Sequence, residues 1–139
     1  MTQIGKVVYT AKTHTTGGRD NGASRSSDGR LDVRLSTPGS ARIGTNPEQL
    51  FGAGWSACFE SAIALAARRR KIALPAGVTI DAEVGLNLAG GGYSLSTRLS
   101  VSLPGVEREV AQALIEEAHE ICPYSKATRG NIDVAINLV

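Results

Sequence analysis

Cys58 and Cys122 are the residues with the most chemistry to offer, and neither belongs to a Cys-x-x-Cys pair. The only histidines are His14 and His119, so no metal site is expected. A thiol acts as a nucleophile only as its thiolate, which needs a cation or dipole close to the sulfur. In apolar surroundings it is an inert small hydrophobe. Three readings therefore stand side by side: core filling, a structural staple, or a working redox pair. Cys58 and Cys122 lie 64 residues apart, and a bridge between them would stabilise the chain by roughly 4 kcal/mol in chain-entropy terms. Stability alone does not separate a staple from a working pair.

The candidate cation is Arg19, in Thr16-Gly17-Gly18-Arg19-Asp20, where the glycines permit a tight backbone. Glu48 could orient it through a bidentate pair, although a carboxylate at a helix N-terminus is favourable for the dipole alone. Glu48 precedes Cys58 by ten residues, about 80° around a helix and roughly 15 Å along it. Only a long side chain lying between them could link the two.

The elements that would position these groups follow from pattern. Residues 7–11, Val-Val-Tyr-Thr-Ala, predict a strand. Residues 16–30 are rich in Gly, Ser, Asp and Asn and predict turns. Leu31, Val33 and Leu35 alternate with polar residues as in a half-buried strand. A long helix starts near Asn46-Pro47, a cap followed by the proline suited to a first helical position. Leu50, Gly54, Cys58, Ala62 and Leu65 recur at helical spacing with Phe51, Trp55 and Phe59 beside them, so several sides of this helix are expected to be buried. Arg68 to Lys71 complement its C-terminal dipole. Alternating residues from Val78 to Leu103, broken by Gly90-Gly91-Gly92, predict a long hairpin. A helix from about Val106 is stopped by Pro123, and Ile132, Val134, Ile136 and Leu138 close the chain as a strand. The order predicts a single α+β domain over residues 1–139, with antiparallel sheets packed around a long central helix.

Composition narrows the partners. The chain has 139 residues, 42% hydrophobic and 20% charged, as in an ordinary globular domain. A net charge of +2, with lysines and arginines scattered and only two Phe, one Trp and three Tyr, argues against nucleic-acid binding. No secretory signal is expected at the N-terminus, and the longest strongly apolar run, residues 61–67, is too short for a membrane. A cytoplasmic location is the default, and there two thiols more often serve redox chemistry than a permanent staple.

Four segments carry a resemblance: Thr16-Gly17-Gly18-Arg19-Asp20; Ser27-Asp28-Gly29; residues 45–59 from Thr-Asn-Pro-Glu-Gln-Leu-Phe to Ala57-Cys58-Phe59; and Cys122-Pro123-Tyr124-Ser125 followed by residues 127–134. In this order they resemble the organic hydroperoxide resistance (Ohr) branch of the OsmC/Ohr superfamily. The resemblance implies an OsmC-like fold, an intertwined homodimer and a thiol-dependent peroxidase acting on alkyl and fatty-acyl hydroperoxides. It implies Cys58 as the peroxidatic and Cys122 as the resolving cysteine, with Arg19 at the thiolate and Glu48 fixing Arg19. It also implies no bound cofactor, with dihydrolipoyl groups of lipoylated proteins as electron donors. Phe51, Trp55, Phe59 and Ile121 are then the candidate substrate-binding residues. Two departures are visible: a short loop from Pro38 to Gly44, and Gly54-Trp55 where Ala or Gly followed by Tyr is common. The alternatives are a broader OsmC-branch peroxidase and a non-enzymatic dimer with core-filling cysteines.

Overall fold

A computed structural model describes residues 5–139. They fall into two compact units, the first ending at Pro47 and the second running Glu48–Val139.

The first unit holds strands β1 (Thr13–Thr16), β2 (Ala23–Ser26) and β3 (Asp32–Arg34) in one antiparallel sheet of order β1-β2-β3. A one-turn helix, α1 (Gly18–Asn21), lies between β1 and β2. The β2–β3 turn is the Ser-Asp-Gly segment, where Asp28 accepts hydrogen bonds from the Ser26 hydroxyl at 2.6 Å and the Arg30 N–H at 3.0 Å. These donors hold the Asp28 carboxyl below its usual range. Two sequence expectations fail here. Residues 7–11 form no strand; Val7, Val8 and Tyr9 are exposed, because β propensity without a pairing edge does not make a ladder. The Gly/Ser-rich stretch from Thr16 to Arg30 contains β2 as well as turns, its Ser and Arg residues being recruited by pairing on both sides.

The second unit is built on α2 (Pro47–Arg69), which starts at the proline the sequence marks. Lys71, at φ 56°, ends it, and the Ile72 N–H turns back to the Ala67 carbonyl at 2.9 Å. By length and composition α2 could cross a membrane, which the short run counted from sequence did not foresee. It is instead a core helix, burying Gly52, Trp55, Phe59, Ala62, Ile63, Ala66 and Ala67. Strands β4 (Thr79–Ala89) and β5 (Gly92–Ser102) form the expected hairpin. Helix α3 (Arg108–Ile121) and a six-residue α4 (Pro123–Thr128) lead into β6 (Asp133–Leu138).

The β4-β5-β6 sheet is not wholly antiparallel. Strand β6 pairs β5 in parallel, Leu99 opposite Ile136. The segment between them, residues 103–132, is long enough for a helical crossover, which lets the chain re-enter in the same direction. Pro123 also does more than stop a helix: it opens α4 as its first residue. One face of the sheet meets the helices through Leu99 and Val101, fully buried with Trp55, Phe59, Ile63, Leu114 and Ala118. A Cβ on Gly52 would come 3.3 Å from Val84 Cγ2, which shows how closely α2 lies on β4. Each large side chain in this core contributes about 1.5–3 kcal/mol by burial.

Candidate active site

Phe51, Trp55 and Cys58 fall on one stripe of α2 at steps of four and three residues, with Gly54 beside them. The Phe51 and Trp55 rings meet edge-on, with centroids 5.6 Å apart. Cys122 reaches this stripe from the junction of α3 and α4. Its N–H closes α3 on the Ala118 carbonyl at 2.8 Å, and its extended backbone (φ −61°, ψ 123°) then turns the chain into α4.

The Cys122 thiol is buried, the Cys58 thiol is half-buried, and their sulfurs are 3.4 Å apart as free thiols. Burial pushes the Cys58 thiol above its ordinary value, and Cys122 adds to this through its hydrogen bond and its charge. The Tyr124 backbone N–H, hydrogen-bonded to Cys58, acts in the opposite direction. Apart from this dipole, the close neighbours of Cys58 in its own unit disfavour the thiolate.

The other expected residues are placed as follows. Trp55 and Phe59 are fully buried, so within this unit they support the site from beneath rather than offer surface. Phe51 and Ile121 are half-buried against the core. Glu48 lies half-buried in the first turn of α2. Arg19 belongs to the first unit, half-buried in α1, after Gly17 and Gly18 at φ 75° and 71°. Among the described residues no group of three or more His, Cys, Asp or Glu could hold a metal ion.

Two residues at the site carry more than the sequence reading gave them. Ser125, fully buried, accepts a hydrogen bond from Trp55 Nε1–H at 3.3 Å. The Tyr124 ring lies 6.2 Å from that of Phe51 and places its hydroxyl over Gly54, where a Cβ would come within 2.7 Å of it. The only signal for either was its place beside Cys122 in a segment that carries the resemblance.

Residues 37–137 match the family described as OsmC-like protein. The chain is 47% identical over 137 residues to an organic hydroperoxide resistance protein of Xanthomonas axonopodis pv. citri, covering 96% of both chains. Among solved structures it resembles an organic hydroperoxide resistance protein from Legionella pneumophila, at 42% identity and a TM-score of 0.88, over 96% of this chain and 98% of that one. It also resembles the organic hydroperoxide resistance protein OhrB of Bacillus subtilis, at 40% identity and a TM-score of 0.86, over 96% and 100%. With this likeness running nearly end to end, and two free thiols in contact where α2 meets α4, the chain belongs to the organic hydroperoxide resistance branch of the OsmC/Ohr family.

Proposed function

We propose that the protein is a thiol peroxidase that reduces alkyl and fatty-acyl hydroperoxides to alcohols, with Cys58 as the nucleophile and Cys122 as the resolving thiol. The observation that carries this reading is the 3.4 Å separation of two unbonded sulfurs. It falls short of a bond by about 1.4 Å, so one thiol can capture the other as soon as that one is oxidised.

The Cys58 thiolate attacks a peroxide oxygen, the O–O bond breaks, and the alkoxide leaves as the alcohol after taking a proton. Cys58 is left as a sulfenic acid. Cys122 condenses with it to a disulfide and releases water. A dihydrolipoyl dithiol on a lipoylated protein then exchanges with the disulfide, becoming the cyclic disulfide itself. We assign Arg19, held by Glu48, as the cation that would lower the raised Cys58 pKa. Phe51 and Ile121 would offer apolar surface to the alkyl chain, with Trp55 and Phe59 behind them.

We assign the chain as one functional domain that works as an intertwined homodimer in the cytoplasm. The exposed Val7, Val8 and Tyr9, and the exposed Leu86, Leu88 and Tyr93 near the hairpin tip, support a partner chain that would cover them. The test is intact-mass analysis of reduced protein after cumene hydroperoxide. Loss of two hydrogens, absent from Cys58→Ser, is expected; a mass unchanged by hydroperoxide would leave the thiols as core filling.

A further inference from the structure

Four contacts join the first turn of α4 to the stripe of α2 that carries Cys58, and the sulfur pair is only one of them. The Tyr124 N–H reaches the Cys58 sulfur. The Tyr124 ring lies over Gly54 and beside Phe51. The Trp55 indole donates to Ser125 at 3.3 Å, with both residues fully buried. Trp55 stands one helical turn before Cys58, and Ser125 three residues after Cys122. The hydrogen bond and the sulfur pair therefore bridge the same two elements side by side. A buried indole N–H must find an acceptor, so this pair fixes how deeply α4 seats on α2. Gly54 permits the same seating, because any Cβ there would push the Tyr124 hydroxyl away.

We propose that Ser125 is a positioning residue for the resolving step, clamping α4 to α2 so that Cys122 stays within capture distance of oxidised Cys58. The proposal rests on the peroxidase reading. In that step the Cys122 sulfur attacks the Cys58 sulfenic sulfur, the S–S bond forms, the S–O bond breaks, and hydroxide leaves with the Cys122 proton as water. The competing fate is a second hydroperoxide, which oxidises the sulfenic acid to sulfinic acid and leaves as a second alcohol. Holding two groups in place is worth most where capture must outrun such a competitor.

The test is the partition of the sulfenic acid in Ser125→Ala. Reduced parent and variant are mixed with increasing cumene hydroperoxide, and intact mass separates disulfide from sulfinic acid. The first oxidation of Cys58 should keep its rate within about twofold, while the hydroperoxide needed for half-conversion to sulfinic acid falls roughly tenfold, the scale of one lost hydrogen bond. A serine that served stability alone would lower the unfolding midpoint and leave the partition unmoved, and that result overturns the proposal. Trp55→Phe removes the same hydrogen bond from its donor side if Ser125→Ala fails to fold, and the partition should shift in the same direction. An unmoved partition there also overturns it. A parent protein that forms no disulfide with hydroperoxide sinks the peroxidase reading, and the clamp with it, before any variant is compared.

Discussion

Cys122 Sγ rests 3.4 Å from Cys58 Sγ, although 64 residues of chain lie between them. The junction of α3 and α4 brings this about: an extended residue between two helices points its side chain back at α2. The pair is in contact and unbonded, which suits a cycle that must open and close rather than a permanent staple.

The roles proposed for the two cysteines are unequal, and single substitutions separate them. Cys58→Ser should abolish hydroperoxide consumption. Cys122→Ser should take one equivalent to reach Cys58 sulfenic acid, pass to sulfinic acid as it consumes a second, and fail to turn over with dihydrolipoamide. Mass spectrometry of both variants after hydroperoxide checks this; sustained turnover by Cys122→Ser would remove its resolving role.

The pH dependence of the first oxidation follows from the direction of the Cys58 shift. Burial and Cys122 push this thiol up, so the thiolate is scarce at neutral pH without a compensating cation. Arg19→Ala should move the pH–rate profile of the peroxide step to higher pH and lower the rate at pH 7. Arg19→Lys should recover part of the loss, since it restores the charge without the planar fork. Superimposed profiles for parent and Arg19→Ala would assign the activation elsewhere.

Apolar neighbours of the thiols set the expected preference among peroxides. In the proposed site Phe51 and Ile121, partly buried against the core, would give an alkyl group somewhere to rest, whereas hydrogen peroxide would gain nothing from them. Cumene hydroperoxide should react at least tenfold faster than hydrogen peroxide, which is about 1.4 kcal/mol and within reach of burying two CH2 groups. Phe51→Ala should narrow the gap. Equal rates in the parent protein would favour a broader OsmC-branch activity.

What the sequence made legible was local. Asn46-Pro47 and the basic tail mark α2 closely, and the glycines after Ala89 mark the hairpin, because caps and turns are decided by neighbouring residues. Partner choice was not legible. The parallel entry of β6 depends on a crossover that no alternation pattern encodes. Residues 7–11 have strand composition without a ladder, and Ser125 reads as an ordinary polar residue until Trp55 is found against it. Cys58 and Cys122 were visible as chemistry from the start, but their contact required the fold.

His119 makes acid sensitivity a further test of the second unit. Burial lowers its pKa, the nearby Arg129 charge lowers it further, and Glu120 opposes them. Its Nδ1 is buried without a hydrogen-bond partner. Residues Gln112, Ile115, Glu116, Val134 and Ile136 line a cavity of about 210 Å³ with it, so Glu116 is the acidic group on that side. A histidine whose folded pKa is depressed contributes stability that is complete above the unfolded value, about 6.5, and is lost as pH falls toward the folded one. The urea midpoint should therefore drop as pH falls below that of a free imidazole, and His119→Gln should flatten this limb while leaving the midpoint at pH 8 nearly unchanged. Both proteins are compared at one concentration, because dimerisation would otherwise shift the midpoints by mass action. An acid limb of the same steepness in His119→Gln would place the titrating group elsewhere.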